Sequence, residues 1–248
     1  MLDALQITRM HDEATLRWHQ ETPSSDDPGT GPQAPAGPTA QLPTEDASMS
    51  PDLLMKVVQA QHRANYDLWH EEDKARDPAA TDAAIAAVKS AIDALNQRRN
   101  DLVETLDRML LVAAGEQNRA APLHSESPGL IVDRLSILAL KLYHTTEESR
   151  RASASEEHRA RNLERLSLIE EQRADLAACL DALWKQVLGG QRRFKLYRQM
   201  KMYNDPELNP AVYAHKAGSH NAGSQTTGSG ETDPATTGPQ SAAGSKRG

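Results

Sequence analysis

The stretch HRANYDLWHEED, from His62 to Asp73, concentrates imidazoles, carboxylates, an amide and an indole. Such side chains move protons, hold charged ligands and stack on rings. Placed at about 100° per residue on a helix, His62, Asn65, Trp69 and Asp73 share the arc of Met55 and Val58. Glu71 points the opposite way and His70 lies to the side. Two more segments aim polar groups among apolar ones. In IDALNQRRND, Asn96 and Arg99 project with Ile92 and Val103 rather than with Asp93, Asn100 and Glu104. In SPGLIVDRLSILALKLYH, the residues Asp133, Arg134, Lys141 and His144 are set in a segment that is apolar almost all round.

Charges isolated in an apolar interior are costly, so these groups must either satisfy one another or line a wet cleft. The first case is a hydrogen-bond and ion-pair network that fixes helix register. In the second, Arg99, Arg134 and Lys141 supply charge for an anion, Asn65, Trp69 and Asn96 help to hold it, and His62, Asp73, Asp133 or His144 moves a proton. The leading expectation is a binding or accessory module for an anionic small molecule in an interhelical cleft. The alternatives are an acid/base enzyme, a transferase or hydrolase, using the inward His/Asp cluster, and an interaction scaffold whose polar network is purely structural. No metal ligands are assigned, because the chain has neither H-E-x-x-H nor an inward Glu-x-x-His pair, and Glu157 and His158 are adjacent. Glu71-Glu72 followed by Glu104-x-x-Asp107 resembles the helical metal-dependent nucleotide pyrophosphohydrolases, but Ala75 stands where their third carboxylate belongs. No stretch matches a metal, nucleophile or phosphate motif strongly, and no cofactor is assigned.

These groups need helices to position them. Ser50-Pro51 starts a first long helix bearing Met55, Val58, His62, Tyr66 and Trp69. A second carries the stripe Ile85, Val88, Ile92, Leu95, Val103, Leu106 and Leu110, with Gly115 just beyond its end. The third, capped by Ser127 and Pro128, has no wet face and is expected at the centre. The fourth begins near Ser153 or Ser155, runs through Ile169, Leu176, Leu180, Leu183 and Val187, and stops at Gly189-Gly190, with Cys179 expected as a small core residue on the flank of that stripe. The N-terminal segment, with Leu5, Met10, Leu16 and Trp18, reads as a further helix docked on these, and QRRFKLYRQMKMY as a short basic helix whose Phe194 and Tyr197 pack down, or as an anion- or RNA-facing surface. Without strand alternation the class is all-α: a single bundle of four long helices plus one or two shorter ones.

Composition sets the limits of that bundle within the 248 residues. Residues 21–50 are acidic and rich in Pro, with no Lys or Arg, which predicts a disordered linker. Residues 214–248 contain no large apolar side chain and predict a flexible tail. The N-terminal helix (1–20) and the bundle (51–213) remain, enough for one core. One cysteine excludes an intrachain disulfide and favours a reducing cytosol. No apolar run is long enough for a signal h-region or a membrane span. The net charge of −7 argues against general nucleic-acid binding, although residues 191–203 are locally basic. Nothing in the pattern sets an oligomeric state.

The motifs NYDLWHEEDKARDP, IDALNQRRND, SESPGLIVDRLSILALKLYH and FKLYRQMKMYNDPELNP together resemble the bacterial DUF4254 family, helical proteins of unknown function, and HDEATLRWH near the N-terminus is similar too. The resemblance implies one helical domain over residues 51–213, with linker and tail as additions. It transfers no activity and no catalytic residue. It also implies a setting among genes for cell-envelope sugar transfer, and hence a phosphorylated sugar or nucleotide-sugar ligand.

Overall fold

The structure, a computed structural model, describes residues 2–21 and 50–198. The expected linker and the expected tail lie outside the described residues, apart from the linker's ends at Glu21 and Ser50. Among the described residues the chain is all-α: α1 (Ala4–Glu21), α2 (Pro51–Ala75), α3 (Asp82–Ala114), α4 (Pro128–Arg150) and α5 (Glu156–Leu188) form a bundle without strands.

Local chemistry sets each helix start. The hydroxyls of Ser50, Thr81, Ser127 and Ser155 accept from the backbone N–H three residues on, and Pro51 and Pro128 occupy first turns where no donor is needed. Helix α3 stops at Gly115, whose φ of 64° suits glycine. The start of α4 is also anchored from α3. Asp107 Oδ1 accepts the Gly129 N–H at 2.7 Å, and the Ser127 hydroxyl donates to the other carboxylate oxygen. Burial pushes the Asp107 carboxyl up to about 6 against these two hydrogen bonds.

Helix α4 is central, touching all four other helices. Its Ile131, Val132 and Leu135 join Ile7, Val58, Leu106, Leu110, Leu180 and Phe194 in a core where each is no more than 2% exposed. Each such side chain contributes roughly 1.5–3 kcal/mol over its exposed state.

Several expected faces shift. On α1 the buried stripe is Ala4, Ile7, His11, Ala14 and Trp18, with Leu5 and Leu16 exposed. Ile85 is exposed, because the first turns of α3 run past the bundle, and Asn100 is buried instead. Cys179 is exposed, since the buried stripe of α5 narrows to Leu180, Leu183, Trp184 and Val187. Residues 191–198 are extended rather than helical, and the rest of the expected basic helix lies outside the described residues. Gly190, at φ 67°, turns the chain away from α5. Arg193 then pairs with the 122–124 segment, and Gln117 grips both backbone groups of Phe194 at 2.9 and 3.1 Å, while Phe194 enters the core and Tyr197 stays outside.

Candidate functional site

The polar residues singled out on α2, α3 and α4 separate into four neighbourhoods. At the centre is His62, fully buried. Its Nε2 lies 3.0 Å from the His11 carbonyl oxygen and 2.9 Å from Thr15 Oγ1, and its Nδ1 lies 2.8 Å from Ser136 Oγ. A carbonyl can only accept, so Nε2 carries the hydrogen and Nδ1 accepts from the Ser136 hydroxyl. Ser136 in turn accepts from Asn65 Nδ2 at 2.9 Å, and the same amide donates to Asp133 Oδ1 at 2.9 Å. Gln61 donates to that carboxylate oxygen as well. One network thus joins α1, α2 and α4. Burial holds His62 neutral, lowering it to about 4, and holds the neighbouring His11 well below the usual imidazole range. Burial raises Asp133, opposed by Asn65, Arg99 and Gln61.

Beside this network opens a cleft of about 260 Å³ between α2, α3 and α4, lined by Asn65, Trp69, Glu72, Arg76, Asn96 and Arg99 over an apolar floor that includes Ile137 and Leu140. Arg99 donates to Asn100 Oδ1 at 3.2 Å, whereas its Nε, 4.0 Å from Asp133 Oδ1, is buried without a hydrogen-bond acceptor among the described residues. Arg76 at the rim is engaged by Glu72 and Asp73. Asp73 itself is exposed and outside the cleft lining.

Arg134 and Lys141 face a different, larger cleft between α4 and α5, shared with His124, Gln172, Asp175 and Cys179. There Arg134 is held by Glu126 through two contacts of 2.9 and 3.0 Å. The candidate cations are therefore divided, with Arg99 on one side of α4 and Arg134 and Lys141 on the other.

His144 belongs to a fourth neighbourhood that local spacing did not reveal. It stacks on Trp69 with ring centroids 4.8 Å apart and planes at 7°. One ring nitrogen each from His19 (α1), His70 (α2) and His144 (α4) lies within 4.8 Å of the other two. Tyr143 stacks on His19 at 4.0 Å and closes one side. Burial with the contact to Glu147 pushes Tyr143 up to about 12. His19 was not a candidate because no polar grouping was read on the N-terminal segment, and His70 was not because it lies to the side of the inward arc of α2. The available signals were the ending of HDEATLRWH and the sideways position of His70 on α2.

Among the described residues, no helix is long and apolar enough to cross a membrane. No curated protein and no solved structure matches the chain. The model of a protein family described as "Protein of unknown function (DUF4254)" does match, over residues 55–196, which takes in α3, α4 and α5 whole and nearly all of α2. With more than half its length covered, the chain belongs to the DUF4254 family.

Proposed function

We propose that the α2–α3–α4 cleft binds a small anionic molecule, a phosphorylated monosaccharide by its chemistry, and that the protein serves as a cytosolic binding or accessory module for it. One observation carries the reading: Arg99, on the wall of a cleft, has a buried Nε whose nearest carboxylate, Asp133 at 4.0 Å, is beyond hydrogen-bond reach. A buried donor without a partner costs roughly 1–3 kcal/mol, and an anionic oxygen removes that cost. Asn96 offers an amide, the Glu72 carboxylate accepts from hydroxyls, and Trp69 offers a ring face of the kind sugars stack on, while the Asn65 amide nitrogen is already committed to Asp133 and Ser136. The volume of about 260 Å³ lies below the roughly 300–1,000 Å³ of drug-sized pockets, which favours a sugar phosphate over a nucleotide sugar.

The acid/base alternative has less to work with in this cleft. His62 is sealed, Asp73 faces outward, Asp133 sits behind Asn65 and His144 behind Trp69. A thermal-shift series with inorganic phosphate, hexose phosphates and the neutral sugars tests the binding reading. Hexose phosphates at millimolar concentration should raise Tm, neutral sugars should not, and Arg99→Gln should abolish the shift. No rise with any phosphorylated ligand removes the support for it.

A further inference from the structure

The three imidazoles at the junction of α1, α2 and α4 are arranged as ligands. His19 Nδ1 lies 2.8 Å from the Thr15 carbonyl oxygen and His70 Nδ1 lies 2.8 Å from the Tyr66 carbonyl oxygen, each one helical turn back. Both carbonyls accept only, so both Nδ1 atoms carry hydrogen and both Nε2 atoms keep their lone pairs. His144 Nδ1 faces the Glu147 carboxylate at 3.3 Å, which orients that ring in the same sense. The Nε2 atoms of His19 and His144 are buried and have no hydrogen-bond partner among the described residues. Convergent lone pairs repel one another unless a cation lies between them. Rings oriented through Nδ1 by carbonyl or carboxylate groups are the usual support of metal-binding histidines.

We propose that His19, His70 and His144 form a binding site for a divalent transition-metal ion, zinc by the chemistry of its donors. The ring centroids are 5.0, 5.2 and 5.9 Å apart. Three imidazoles on a tetrahedral ion with bonds of about 2.0–2.1 Å place their ring centres roughly 5 Å apart. Two of the three separations already fit, and a small adjustment of His70 or His144 about χ1 shortens the third. Burial, reinforced by the neighbouring imidazoles, lowers His19 and His144, which keeps the rings in the neutral, ligating form near pH 7. An all-nitrogen set suits zinc, copper, nickel or iron and does not suit magnesium or calcium, which take oxygen ligands. Three protein ligands leave a fourth position for water or a small anion. This site is separate from the proposed sugar-phosphate cleft and does not depend on it.

The test uses the full chain, stripped with chelator and dialysed against zinc, cobalt(II) or magnesium. One equivalent of zinc should remain after dialysis, cobalt(II) should give visible d–d absorption that zinc displaces, and magnesium should not be retained. His19→Gln, His70→Gln and His144→Gln should each weaken zinc binding at least tenfold. His158→Gln, and replacement of His215 and His220, should leave it unchanged. The proposal is overturned if the native chain retains no zinc, if the triple glutamine variant keeps it, or if replacing His215 and His220 removes it. Circular dichroism shows whether each variant is folded. The stoichiometry of the native chain and the zinc-dependent rise in its Tm decide the matter should a variant unfold.

Discussion

Single residues here set the response to acid. In the native state burial lowers His62 from 6.5 to about 4, so between those values the unfolded chain binds more protons and stability rises with pH. The His62 contribution is fully present above pH 6.5 and lost as pH falls toward 4, and His11 acts in the same direction. For His62 alone the loss between pH 7 and pH 5 is about 2 kcal/mol. Asp107 opposes it. Raised by burial from 3.8 to about 6, it is a group the native state protonates first, so its contribution falls as pH rises through that window. Urea unfolding of Asp107→Asn should therefore show a pH 7 to pH 5 stability loss about 1 kcal/mol larger than that of the native chain. Ser136→Ala is a second test at this scale. It leaves His62 Nδ1 and one Asn65 hydrogen bond without a partner, and should cost about 1–3 kcal/mol in denaturant titrations at pH 7.

At the scale of helices, Gly129 shows how tightly α4 is fitted to α3. A Cβ there would meet Asp107 Oδ1 at 2.6 Å and the Val103 carbonyl oxygen at 3.0 Å. The backbone oxygen cannot swing aside, so Gly129→Ala should lower stability by about 2–3 kcal/mol, read as a lower urea midpoint with unchanged slope. This fit was invisible in the sequence, where Ser127-Pro128-Gly129 announced a helix start and nothing more. Caps, stops and the central place of α4 were readable because each depends on residues adjacent in the chain. The buried face of α1 was readable only in part, at Met10 and Trp18. Hydropathy selects Leu5 and Leu16, while the bundle buries Ala4, His11 and Ala14, whose value lies in close approach and in hydrogen bonds to another helix. Residues 191–198 were misread for a related reason. Their pattern suits a helix, but Gln117 and the 122–124 segment, distant in sequence, hold them extended.

The candidate site shows the same limit across the whole molecule. The His62, Asn65 and Asp133 grouping followed from helical winding, whereas the three-histidine cluster draws one residue from each of three helices and has no spacing to detect. Helix α1 lies outside the segment matched by the family model, yet it supplies His11, Thr15, Trp18 and His19 to these neighbourhoods. Its buried Ile7 and Trp18, with Leu2 just before it, alone represent roughly 5–9 kcal/mol of transfer free energy, comparable to the ~5–15 kcal/mol by which whole domains are stable. A chain beginning at Ser50 should therefore lose cooperative thermal unfolding by circular dichroism. Retention of a sharp transition within a few degrees of the full chain would show that α1 is dispensable.

Trp69 stands on the boundary between two of these neighbourhoods, lining the cleft with Asn96 and Arg99 and lying flat on His144. Trp18 and Trp184 are buried and emit as well, so the signal of the partly exposed Trp69 is read as the difference between the native chain and Trp69→Phe. An imidazole in van der Waals contact quenches indole emission, and the quenching changes when the ring's electrons are drawn to an ion. A sugar phosphate alters the other environment of the same chromophore. Titrating either species in the presence of the other, at one excitation wavelength, would report any crosstalk between them, and thermodynamic reciprocity requires that the coupling be equal in both directions.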